Sequence, residues 1–169
     1  MRKEQKANYP ESARGAAALL VRMVLEDGAY TNIALNQYLR GSRLSDLDRR
    51  LATELVYGTV KASGTLDWYL AQCVSRPLDK VAGDILAILR ISTYQLLYMT
   101  RIPASAAVNE AVKLARSVSH EGSAKFVNGV LRGLLRKQEA GAFVLPDAEK
   151  QDADYLSLKY YHPRWLVKR

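Results

Sequence analysis

Within residues 123–137, SAKFVNGVLRGLLRK, three of the four cations and an amide share a helical face able to do chemistry: Lys125, Asn128, Arg132 and Arg136. At about 100° per residue they gather on one side of a helix, while Phe126, Val127, Val130, Leu131, Leu134 and Leu135 fill the opposite half-turn. The chemistry open to such a row is anion binding. Arg132 and Arg136, one turn apart, can follow a phosphate backbone without reading sequence, and so can Lys113 and Arg116 on the preceding segment. Phe126 lies at the edge of the apolar arc; its spacing favours core packing, and its alternative use is as a ring on which an unpaired base stacks. Gly122, Gly129 and Gly133 form an edge between the two faces where another helix or a nucleic-acid backbone can come close.

Other chemistries lack their residues. No glycine-rich strand-to-helix fingerprint and no GxxxxGK[ST] loop occurs. The carboxylate pairs Asp46/Asp48 and Asp152/Asp154 sit at helix starts, where the helix dipole accounts for them. Cys73 has no basic or histidine neighbour in sequence and reads as a structural thiol. With only His120 and His162 beside that single cysteine, no Cys/His metal cluster can be assembled. Ser123 is placed as an ordinary N-cap; Gly122, Ser123 and Lys125 together are the alternative, a phosphate site at a helix start.

The charge is unevenly spread. The chain has 169 residues, a formal net charge of +8 and a pI near 9.6. Residues 1–22 hold five basic and two acidic groups and residues 113–137 hold six and one, whereas 23–112 and 138–169 are balanced. The excess therefore lies in two segments, the first containing Arg14 and Arg22. Brought together they would make one phosphate-neutralising patch; held apart they would serve solubility. A lone cysteine, no signal-like start and no apolar run near the roughly 20 residues needed to cross a bilayer point to a cytoplasmic protein with no membrane role.

The elements that must position these groups are helices. Apolar spacing predicts helices over residues 12–26, 32–39, 45–61, 66–74, 79–99 and 104–119, followed by the segment from 123. Ser45 with Asp48 marks a capping box, and Leu47, Leu51, Leu55, Val56 and Val60 form a broad apolar arc behind it. Arg50 and Glu54 are spaced to pair on the remaining stripe. Few segments alternate as strands do, so the fold class is all-α. Residues 140–147 read as a linker or a docked extended segment, 152–160 as a short helix, and His162-Pro163 as the start of another. That last helix is cut within two turns, so the natural chain is expected to continue past Arg169.

LRISTYQLLYMTRIPASAAVNEAVKLAR (residues 89–116) followed by KFVNGVLRGLLRK resembles the NusB family. TELVYGTVKASGTLDWYL and ARGAAALLVRMVLEDGAYTNIAL fit the same pattern, so the likeness covers about residues 11–138. YQLLYMTRIPASAAVNEAV and the tail SLKYYHPRWLVKR are more narrowly similar to the N-terminal domain of RsmB/Sun-type ribosomal RNA methyltransferases. The resemblance implies a NusB-like fold of two packed helical bundles, roughly residues 11–62 and 65–138, with a short helical C-terminal linker. It divides the chain into a flexible N-terminus (1–10), an RNA-binding domain (11–138) and a linker opening a methyltransferase module (139–169).

It also implies a function. The domain would position 16S ribosomal RNA for a cytosine-C5 methyltransferase domain outside this chain; S-adenosylmethionine would belong to that domain, with no cofactor in this one. Arg14, Lys125, Phe126 and Asn128 match family positions, and Arg22, Lys113, Arg116, Arg132 and Arg136 complete the candidate RNA contacts. The chain departs from NusB proteins proper at its start, where Arg14 is followed by Gly15 and three alanines instead of an arginine-rich run. Two rivals remain open: an antitermination factor, and a protein-interaction scaffold docking through residues 165–167.

Overall fold

The structure, a computed structural model, describes residues 8–143. Ser12 caps α1 (Ala13–Asp27), its Oγ accepting the Gly15 N–H at 3.0 Å, and the helix stops at Gly28, whose φ of 73° suits a residue without Cβ. After α2 (Thr31–Arg40), Ser45 caps α3 (Asp46–Lys61) by accepting the Asp48 N–H at 3.2 Å. Next come α4 (Ser63–Ala71), a single 3-10 turn (Leu78–Lys80), α5 (Gly83–Tyr98), α6 (Ala104–Val118) and α7 (Glu121–Glu139). Among the described residues there are seven α-helices and no strand, so the all-α expectation holds.

Helices α1 to α3 pack on one another, as do α4 to α7, and α5 joins the groups by also packing on α1 and α3. This is the expected pair of fused helical bundles. Helix α5 can serve both because Ile85, Leu86, Ala87, Ile88, Leu89 and Ile91 bury nearly its whole circumference. Leu20, Leu55, Ile88, Leu89 and Leu131 are at most 1% exposed, and each fully buried side chain of this kind contributes about 1.5–3 kcal/mol. Arg90 and Asp67 tie α5 to α4 through two hydrogen bonds of 2.8 Å.

Several local expectations are corrected. The stretch predicted as one helix over residues 79–99 is two pieces, with Val81 and Ala82 extended between them. Leu78 before the break, Val81 within it and Ile85 after it all pack into the same core, which is why the apolar spacing runs through it. Leu47 is 74% exposed, because the core-facing part of α3 starts one turn later, at the half-buried Leu51 and the buried Ala52. Glu54 pairs with Arg101 at 2.6 Å and not with Arg50. Tyr9, placed by sequence in a flexible N-terminus, is buried and donates a hydrogen bond to Asp84.

Beyond α7, Gly141 (φ 63°) turns the chain and Phe143 packs edge-on against Tyr69, ring centroids 4.8 Å apart. The helices expected over residues 152–160 and from 163 lie outside the described residues.

Candidate nucleic-acid interface

Helices α6 and α7 form a closely packed hairpin across Ser119 and His120. The cap of α7 is His120, not Ser123. The backbone of His120 is extended and its Nδ1 accepts the Ser123 N–H at 3.3 Å, while Ser123 Oγ lies 2.8 Å from Ser119 Oγ. The Ser123 N–H, which the alternative of a phosphate site at this helix start would use, is therefore already satisfied. Val127, Val130, Leu131 and Leu134 are buried beneath the helix, as their spacing requires.

On the outer side Lys125, Arg132 and Arg136 are exposed, with Asn128 half-buried among them. Arg132 Nε donates to Asn128 Oδ1 at 2.9 Å, so the amide steadies one guanidinium of the row. Among the described residues no helix fills the edge at Gly129 and Gly133: a Cβ on Gly129 would meet nothing within 4 Å, and one on Gly133 only the Arg136 guanidinium at 3.7 Å. Lys113 and Arg116 are exposed on α6. Lys113 lies 3.7 Å from Glu110, and Arg116 holds Glu121 with Nε 2.6 Å from Oε2. The Arg116 hydrogen bond, aided by the charges of Arg116 and Lys125, holds the Glu121 carboxyl below its ordinary range. Among the described residues Lys125, Arg132 and Arg136 form no ion pair, while Arg116 holds Glu121.

The two arginines of the first charged segment are placed differently. Arg14 Nε donates to Oε1 of the buried Gln95 at 2.9 Å, and Gln95 in turn donates to the Ile91 carbonyl. Arg22 is half-buried between Glu26, 3.0 Å away, and Asp84. Burial pulls its pKa down, but the hydrogen bonds to Glu26 and Tyr9 and the charge of Asp84 more than reverse this. Helices α1 and α7 are not among the principal packed pairs of the described residues. The fold thus gathers the cations of α6 and α7, while Arg14 and Arg22 join α1 to α5.

A groove of about 520 Å³ opens between the start of α7 and the segment leading into α5. Arg76 and Lys80 line one wall, and His120, Ser123 and Phe126 the other. Phe126 is half-buried and packs on the main core, with the Arg76 guanidinium 4.7 Å from its ring centroid. Arg76 and Lys80 were not singled out from sequence, because they lie in a charge-balanced segment and Arg76-Pro77 reads simply as a helix stop. Burial raises the Cys73 thiol pKa, with nearby Lys137 partly offsetting it. Among the described residues no three His, Cys, Asp or Glu converge to hold a metal ion, and no helix is long and apolar enough to cross a membrane.

The NusB family model matches residues 11–136. The chain belongs to the NusB family. Proteins named probable ribosomal RNA small subunit methyltransferase B in Synechocystis sp. and Bacillus subtilis are 41% and 37% identical to it over 157 residues. Each alignment covers 93% of this chain and 34% of the relative, so the chain spans about a third of the length of these curated relatives. A solved structure of the antitermination factors NusB and NusE with double-stranded RNA matches at TM-score 0.67 and 19% identity, covering 80% of this chain and 98% of the matched one. At that identity the match establishes the NusB fold alone.

Proposed function

We propose that this chain is the RNA-binding module of a ribosomal RNA small-subunit methyltransferase, holding the RNA for a catalytic domain outside it. The observation that carries this reading is the exposed row Lys125, Arg132 and Arg136, continued by Lys113 on α6, in a NusB-family domain with methyltransferase relatives. Such a row neutralises phosphates and positions RNA, leaving base selection to other groups. On this reading residues 11–138 are the binding unit and 139–169 the lead into the catalytic domain. That domain would methylate cytosine C5 with S-adenosylmethionine, and this chain alone would be inactive. A cytoplasmic location follows from a ribosomal substrate.

The antitermination alternative draws on the NusB–NusE neighbour. Its 19% identity, against 41% for the methyltransferase relative, favours the methyltransferase reading.

The test is fluorescence anisotropy of the chain with a structured small-subunit rRNA fragment and a matched DNA duplex, repeated across salt concentrations. Tighter, salt-dependent binding to the RNA is expected. Arg132→Glu with Arg136→Glu should weaken it and flatten the log–log salt slope by about 0.7–0.9 per lost contact, with helicity intact. Unchanged affinity in the double variant removes α7 from the interface. Absence of RNA binding at low salt by the unaltered chain refutes the reading itself.

A further inference from the structure

The groove beside α7 contains two cations that the reading above does not use. Arg76 and Lys80 are exposed, and neither forms an ion pair among the described residues, although Asp79 lies in the same turn. Among the described residues the opposite wall carries no carboxylate, and Glu121, next to it in sequence, is held by Arg116. The groove therefore presents uncompensated positive charge. Arg76 is also ordered in a particular way: its guanidinium lies over the Phe126 ring at 4.7 Å, and Phe126 itself is fixed against the core.

A guanidinium lying on a ring still has its N–H edges free to donate to a phosphate in the fork geometry suited to that group. Holding the side chain there before binding reduces the conformational entropy lost on binding. A base stacking on Phe126 would first have to displace Arg76, giving up the cation–π contact. Phosphate binding and the observed arrangement are compatible; base stacking and the observed arrangement compete.

We infer that Arg76 and Lys80 seat a phosphate group of the bound RNA at this groove, and that Phe126 is a positioning residue acting through Arg76. The inference rests on the RNA-binding reading and adds a second contact element, residues 76–80, to the α6–α7 row. One polyanion spanning both accounts for the groove lying beside the first turn of the cationic helix.

The same salt-dependent RNA titration is applied to Arg76→Ala, Lys80→Ala, Phe126→Leu and the Arg76→Ala/Phe126→Leu double variant. Arg76→Ala and Lys80→Ala should each weaken binding and lower the salt slope by about 0.7–0.9. Phe126→Leu, which keeps apolar packing but removes the π face, should shift affinity and slope in the same direction as Arg76→Ala. The double variant should bind no worse than Arg76→Ala alone, because the two side chains act as one unit. Arg76→Lys should fall between Arg76→Ala and the unaltered chain.

Two results overturn the inference while leaving RNA binding intact. One is unchanged affinity and slope for Arg76→Ala and Lys80→Ala, although Arg132→Glu/Arg136→Glu is impaired. The other is a Phe126→Leu loss that adds to that of Arg76→Ala with the slope unmoved, which assigns the ring to base stacking. If Phe126→Leu is poorly folded by thermal melting, Arg76→Ala and Lys80→Ala, at exposed positions, still decide whether the phosphate seat exists. Failure of the unaltered chain to bind RNA is a different result and falls on the proposed function.

Discussion

At Gly58 the backbone of α3 and the Tyr94 ring of α5 leave no room for another side chain: a Cβ there would overlap the ring. Tyr94 is itself held by stacking on Tyr98, centroids 5.3 Å apart. Gly58→Ala should therefore destabilise the fold by about 1–3 kcal/mol, read as a lower urea midpoint with unchanged m-value. Tyr94→Leu in the same background should recover part of the loss, since it removes the obstacle. An unchanged midpoint for Gly58→Ala would show that the Tyr94 ring moves aside at no cost. Phe126 is legible in sequence only as an aromatic at a core edge; the cation that covers it comes from fifty residues away and leaves no periodic signal.

At the scale of an element, α7 carries opposing demands. Its buried stripe and outer cations both follow from helical spacing, yet Gly129 in its middle is exposed, with open space where a Cβ would point. Gly129→Ala should stabilise the chain by about 0.5–1 kcal/mol through the reduced freedom of the unfolded backbone, measured by urea denaturation. The same variant reports on the interface. If RNA passes close to this glycine edge, affinity falls while stability rises; unchanged affinity places the RNA on the longer cations alone. The N-terminus of α7 was misplaced from sequence because Ser123 has the composition of a cap. His120 takes the role because it is the extended residue immediately before the first turn.

For the molecule as a whole, burial is the largest influence raising the pKa of Tyr9, Tyr38, Tyr94 and Tyr98 above the ordinary 10.0. Each binds its proton more tightly when folded, so above pH 10 the unfolded chain releases protons that the folded chain retains. Stability is then fully present below pH 10 and declines as pH rises past it. Circular-dichroism melts should show a falling midpoint over that window, with the tyrosinate absorbance of these four rings, read as the difference from Tyr→Phe variants, appearing late and together with unfolding. Ionisation of these four ahead of unfolding would mean that their rings are open to solvent. Three of these tyrosines, Tyr9, Tyr94 and Tyr98, reach α5 or lie on it, so the alkaline transition should report the joint between the two bundles.

Helical spacing, the caps at Ser12 and Ser45 and the stop at Gly28 are local properties, so the helices and the cationic face of α7 are legible in the sequence, while the two-bundle arrangement was implied by the resemblance to the NusB family. Local sequence also explains the one false continuity, where the apolar rhythm passes through the break at Val81 and Ala82 because both sides face one core. Only the tertiary structure decided which cations stay available. Residues of equal formal charge were separated by partners distant in the chain: Asp84 holds Arg22 and Gln95 holds Arg14, whereas Arg76 and Lys80 form no ion pair among the described residues. A charge census adds charges along the chain, but an electrostatic field depends on distances in space, and those are set by how α1, α5 and α7 pack.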